Sequence, residues 1–160
     1  MREFPDRQLI MSIDLGYQKV SGKPLPGPQT LSDRLWWLHH QAPYSILAHN
    51  ADNDPLFIYA NLCALTCFDY SREALLQLPS RLSVAAFAQQ ERQRLLDGLA
   101  NKGIVYGYSG VRITREGKSF NIYNGAIWQL RNNEGKLWGQ AALFWLSPDS
   151  HDLICADMPH

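Results

Sequence analysis

LFIYANLCALTCFDYSREALLQLPSRLS, residues 56–83, decides how the rest of the chain is read. Leu56 to Tyr59 is short, apolar and β-prone, and the polar turn Asn50 to Pro55 separates it from an earlier strand signal at Tyr44 to His49. Asn61 stands where the strand gives way to a short helical run, a position at which it shapes the turn and caps the helix. Ser71, with Glu73 in the first turn, opens one or two further helical turns that reach Leu78 and stop at Pro79. A strand, a short helix and a second short helix in quick succession are the entrance to an α+β domain.

Downstream, Gln89 to Lys102 places Leu95, Leu96 and Leu99 on one side and Glu91, Arg94 and Asp97 on the other. Gly103 follows where a left-handed C-cap is wanted, so a longer helix lies across a sheet. Three strand-like runs come next, Ile104 to Thr114, Ser119 to Leu130 and Leu137 to Leu146, joined by REGK and RNNEGK turns into an antiparallel meander. Strands at both ends, helices between them and no βαβ alternation predict helices packed on one face of one sheet. In the middle strand, alternation puts Phe120, Ile122, Asn124, Ala126, Trp128 and Leu130 on the face best suited to the core. Asn124 is then either a pocket residue or a satisfied amide near a bulge encouraged by Gly125.

Upstream, the Gly/Pro-rich Gly22 to Gln29 interrupts regular structure and sets off a leader. Ile13, Tyr17 and Val20 recur at helical spacing, although Ser12 to Val20 is too short to be stable without something to pack against. A helix capped by Thr30 or Ser32 runs to about Ala42, before Pro43. Leu31, Leu35, Leu38 and Ala42 form its stripe, and Trp36 and Trp37 widen it. That helix covers the domain's own sheet or meets a partner subunit through Leu35, Trp36 and Trp37. The chain therefore divides into residues 1–29, leader and linker; 30–43, the Trp-rich helix; 44–146, the domain; and 147–160, a C-terminal tail.

With 160 residues, 46% of them hydrophobic, the chain makes one domain with a sizeable core. Fifteen Lys and Arg balance fifteen Asp and Glu, and no basic stripe interleaves with aromatics, which argues against nucleic acid as a partner. No apolar run approaches the roughly 20 residues that span a bilayer, and the apolar Leu9 to Met11 is too brief for a secretory signal, so a cytoplasmic protein is expected. Cys63, Cys67 and Cys155 are an odd count without CxxC, unlike a disulfide framework or a zinc site. No nucleophile elbow, HExxH or phosphate loop is present, and His39 and His40 have no nucleophile placed beside them, so no enzyme is expected.

YANLCALTCFDYSREALLQLP resembles the opening of a PAS domain. AHNADNDPLFIYAN, LPSRLS, YSGVRITREGKSF, AIWQL and GQAALF together resemble the bacterial MEKHLA family, a PAS-like group, over about residues 44 to 146. Tyr17 and the Gly22 to Leu25 stretch are similar to what precedes the domain in that family. The resemblance implies a five-stranded antiparallel sheet with helices enclosing an internal cavity. It implies no particular ligand.

Cofactor chemistry common among PAS domains finds little support in the residues. No Cys lies between Phe68 and Ile154 to form a flavin adduct, and no His between Asn50 and Ser150 to hold haem, which leaves only a poorly placed His49. Cys63 and Cys67, four apart on one helical face, suit ordinary burial better than a redox pair. No metal site is expected. Tyr108 and Arg112 share a strand face with Gly110 between them, the leading pair of ligand-contact candidates, and Asn124, Trp128 and Arg81 complete the set. Arg81 has other uses: it can cap carbonyls or pair with Asp69 or Glu73. The expected function is a standalone sensory or small-ligand-binding domain, with a small apolar or weakly acidic molecule shifting a homodimer or signalling-partner interface. The competing reading is an interaction module with a filled core.

Overall fold

The computed structural model describes residues 3–84 and 89–148. Cys155 and the tail beyond Pro148 lie outside the described residues. The elements in chain order are helices α1 (Arg7–Ser21) and α2 (Leu31–His40) and strands β1 (Ser45–Asn50) and β2 (Phe57–Ala60). Short helices α3 (Leu62–Phe68) and α4 (Arg72–Leu75) and a 3-10 turn (Ser80–Ser83) follow, then α5 (Gln89–Lys102), β3 (Ile104–Ile113), β4 (Ser119–Arg131) and β5 (Leu137–Trp145). All strand pairs are antiparallel, in the order β2-β1-β5-β4-β3, so the first and last strands in sequence meet at the centre of one sheet.

Asn61 makes the entrance to α3 rigid. Its side-chain oxygen accepts from the Ala64 N–H at 3.0 Å, which caps α3, and from the Ile46 N–H at 3.1 Å in β1. Its amide donates to the carbonyls of Leu38 and Tyr44, both at 3.0 Å. One fully buried side chain thus ties the end of α2, the start of β1 and the start of α3. Ser71 caps α4 in the same way, and Gly103, at φ 77°, ends α5 with its N–H on the Leu99 carbonyl.

The sheet is covered on both faces. On one, α3, α4 and α5 close over Leu47, Phe57, Phe68, Leu99, Ile122, Ile127 and Phe144. On the other, Ile10, Ile13 and Tyr17 of α1 and Leu35 and Leu38 of α2 pack on Ile46, Trp128, Leu130 and Trp145. The leader helix, expected from Ser12 to Val20, is 15 residues long and finds its packing partner in β4. A Cβ on Gly16 would lie 2.9 Å from Leu130, and the Trp128 indole donates to the Ile13 carbonyl at 3.3 Å.

The Gly/Pro segment between α1 and α2 is organised by a buried ion pair. Arg34 reaches both carboxylate oxygens of Asp14, at 2.8 and 2.6 Å, and donates to the carbonyls of Leu25 and Pro28. Asp14 also accepts from the Leu25 N–H at 3.2 Å. The N-terminus of α1 is pinned separately, through Asp6 to Arg72 of α4, both contacts at 2.9 Å.

The expected alternation along β4 is broken. Ile122 and Ile127 share the α3–α5 face, whereas Ala126, Trp128 and Leu130 face α1. An extra residue at Tyr123–Asn124 causes the switch: Gly110 pairs with Ile122 and Tyr108 with Gly125, leaving two residues of β4 opposite Ser109. Asn124 takes the left-handed conformation, φ 52°, that the bulge requires. A matching bulge in β3 places Tyr106 and Gly107, the latter at φ 68°, opposite Ala126. The single face expected from Phe120 to Leu130 is thus corrected: one inserted residue in β4 exchanges the faces of everything beyond it in that strand, and one in β3 does the same there.

Candidate functional site

The paired bulges build the site. Ile104 packs on the α1 side, and without the extra residue in β3 Tyr108, Gly110 and Arg112 would follow it there. With it, Tyr108 lies on the opposite face, under α5, and with Arg112 lines a cavity between the sheet and the α3–α5 layer. Leu47, Phe57, Phe68, Ile122, Ile127 and Phe144 make the body of that cavity apolar. Ser80 and Ser83 of the 3-10 turn, His49 of β1 and Gln140 of β5 add polar groups at its wall. About 60 Å³ is open to the centre of a water-sized sphere. At about 10–15 Å³ per water on this measure, that is room for a few waters or a molecule of roughly four to six non-hydrogen atoms.

Tyr108 and Arg112 close over Gly110. A Cβ on that glycine would stand 2.7 Å from the Tyr108 hydroxyl oxygen and 3.3 Å from Arg112 Nη1, so only glycine lets the two side chains meet. Both guanidinium Nη atoms donate to the Tyr108 hydroxyl, at 3.2 and 3.3 Å, and Nη1 also donates to the Val111 carbonyl at 3.0 Å. The guanidinium carbon lies 5.2 Å from the centre of the Tyr108 ring, a cation–π distance. Arg112 is 8% exposed, and among the described residues no carboxylate pairs with it.

The other sequence candidates fall elsewhere. Trp128 is fully buried on the α1 side of the sheet, its ring edge-on to Tyr17, and does not line the cavity. Asn124 is exposed at the bulge, where its amide donates to the Pro148 carbonyl at 3.1 Å, the reading in which it is a satisfied amide. Arg81 pairs with Asp54 at 3.1 Å, not with Asp69 or Glu73, and both partners are more than half exposed. Leu35, at 2% exposure, is absorbed by the chain's own core. Trp36 stacks on His40 at 3.6 Å, and Trp37 packs on Tyr44 and over Gly27.

His49 lines the cavity, nearer the site than its place at a strand end suggested, with Nδ1 2.8 Å from the Asn50 carbonyl. Ser80 and Ser83 were visible only as part of the LPSRLS resemblance; the Ser83 hydroxyl donates to the Ser80 carbonyl at 2.7 Å. Cys63 and Cys67 are half-buried thiols, each 3.6 Å from the hydroxyl of the fully buried Ser45. The hydrogen bond from Cys67 holds the Cys63 thiol down at about 7, while Cys67 is pushed up by the same contact and by burial. On the α2 side of the sheet, His39 lies 2.8 Å from the Tyr59 hydroxyl, and burial lowers its pKa to about 4.

Against known proteins, the family model for the MEKHLA domain matches residues 7–146. Among solved structures, the crystal structure of the PAS domain of a protein from Colwellia psychrerythraea is similar with a TM-score of 0.64 and 14% identity. That match covers 73% of this chain and 96% of the other. A light-oxygen-voltage domain solved in work on a flavin analogue is similar with a TM-score of 0.55 and 16% identity, over 70% of this chain and 82% of the other. At these identities the likeness is one of fold. No curated protein matches the chain.

Proposed function

This chain belongs to the MEKHLA domain family, and on that footing we propose that it is a PAS-like sensory domain whose cavity binds a small molecule. The observation that carries the proposal is the cavity itself, with an apolar body and a polar corner made by Tyr108 and Arg112. Two bulges and a glycine without room for a Cβ hold that corner on the cavity side. Sites of this kind, apolar with a few placed polar groups, are where small ligands bind.

Binding, not turnover, is the proposed activity, and its output passes to a partner or a second copy through the outer surface of the sheet's helical covers. A cytoplasmic setting belongs to the same proposal, since Cys63 and Cys67 serve as hydrogen-bonded thiols. Native mass spectrometry of the full chain tests the reading. The unmodified protein is expected to carry or take up a small mass that Ile122→Trp, which fills the cavity, excludes. Identical unliganded spectra for both, with a higher melting temperature for Ile122→Trp, would sink it.

A further inference from the structure

We infer that the ligand is a short-chain monocarboxylate whose carboxylate is seated on the Arg112 guanidinium and the Tyr108 hydroxyl, its alkyl end among Phe68, Ile122 and Ile127. The inference rests on the ligand-binding reading above and names the chemical class.

A comparison of two buried arginines, Arg34 and Arg112, makes the case. Arg34 and Arg112 are 6% and 8% exposed. Arg34 has a bidentate carboxylate at 2.6–2.8 Å and two carbonyls, the arrangement a buried guanidinium needs. Arg112 has a phenol and its neighbour's carbonyl. Its five N–H donors are only partly used, and its charge has no counterion among the described residues. A buried charge costs several kcal/mol unless it is paired. A carboxylate arriving with the ligand supplies the missing partner.

Charge and size narrow the class. Among the described residues, Arg112 is the single Lys or Arg on the cavity wall and no Asp or Glu lines it, so one negative charge is matched there and a second is not. The planar fork of the guanidinium suits a carboxylate held by two parallel hydrogen bonds. The Tyr108 hydroxyl already accepts from both Nη atoms, which leaves its own proton to donate to the same carboxylate. The apolar remainder of the wall and the small volume ask for an unbranched tail of a few carbons.

Calorimetric titration of the full chain with propionate, butyrate and hexanoate, each beside its primary amide, tests this. Butyrate is expected to bind about 10- to 100-fold more tightly than butyramide, the scale of one charge-assisted pair. In Arg112→Met that preference is expected to vanish, while the melting temperature stays at or above that of the unmodified chain because an uncompensated buried charge is gone. A purely structural arginine would instead lower it. Should Arg112→Met fail to fold, the carboxylate-to-amide ratio in the unmodified chain still decides. Equal binding of acid and amide, blocked by Ile122→Trp, overturns the carboxylate and leaves the ligand-binding reading standing. Binding of neither series overturns the short-chain class, and the native mass spectra then decide the ligand-binding reading separately.

Discussion

Tyr108 and Arg112, i and i+4 on a strand with a glycine between them, share a face by simple alternation, because the bulge in β3 lies before both of them. Trp128 was misplaced by the same rule, since it lies beyond the bulge at Asn124 where the faces have exchanged. Two other side chains have testable chemistry. Cys63, with a pKa of about 7, is expected to alkylate with iodoacetamide several-fold faster than Cys67 at neutral pH. Ser45→Ala should slow it, because the serine hydroxyl also lowers the Cys63 value; equal rates for both thiols would contradict the assignment. For His39, burial comes first in lowering the pKa from 6.5 to about 4, and the charge on His40 adds to it. Above pH 6.5 the ring is neutral whether folded or unfolded. As pH falls from about 6.5 towards 4, the unfolded chain takes up a proton that the folded chain refuses, so stability declines through that window. The loss is roughly 1–2 kcal/mol after solvent screening, measured as the pH dependence of urea melts, and His39→Gln should flatten it.

At the scale of elements, the punctuation was legible: Asn61, Ser71, Pro79 and Gly103 mark ends that local backbone chemistry enforces. The breadth of Asn61's role was not. Its four hydrogen bonds reach Leu38, Tyr44 and Ile46, contacts that exist only once the fold has formed. Asn61→Ala would leave two N–H groups and two carbonyls without that partner and is expected to cost about 2–4 kcal/mol in equilibrium unfolding. A loss of under about 1 kcal/mol, the value of a helix cap alone, would show that the amide is only a cap. The bulges were the least legible elements. Gly125 hinted at one, but an extra residue in a strand changes neither composition nor hydrophobicity, only parity. Gly107→Val tests the β3 bulge: at φ 68° the branched side chain is strained, and it should lower both stability and ligand uptake.

Over the whole molecule, the strand and helix order predicted an antiparallel sheet with helices on one face and an N-terminal helical extension, and that is the fold, with the extension packed as the cover of the other face. How firmly the extension is joined was hidden, because the Asp14–Arg34 pair spans 20 residues across a segment that reads as a linker. Asp14→Leu should cost about 3–5 kcal/mol by leaving Arg34 buried and unpaired, and adding Arg34→Met should restore much of it. Additive losses in that double-mutant cycle would remove the pair from its structural role. The central claim concerns the other face, where an apolar cavity is held open with Arg112 in its wall. Two-dimensional NMR of the full chain, titrated with butyrate, reads that claim directly. The expected shifts are saturable and centred on Tyr108, Arg112, Ile122 and Ile127, with the α1 side of the sheet unmoved. An unchanged spectrum, or shifts confined to exposed residues such as Arg81 and Leu15, would contradict it.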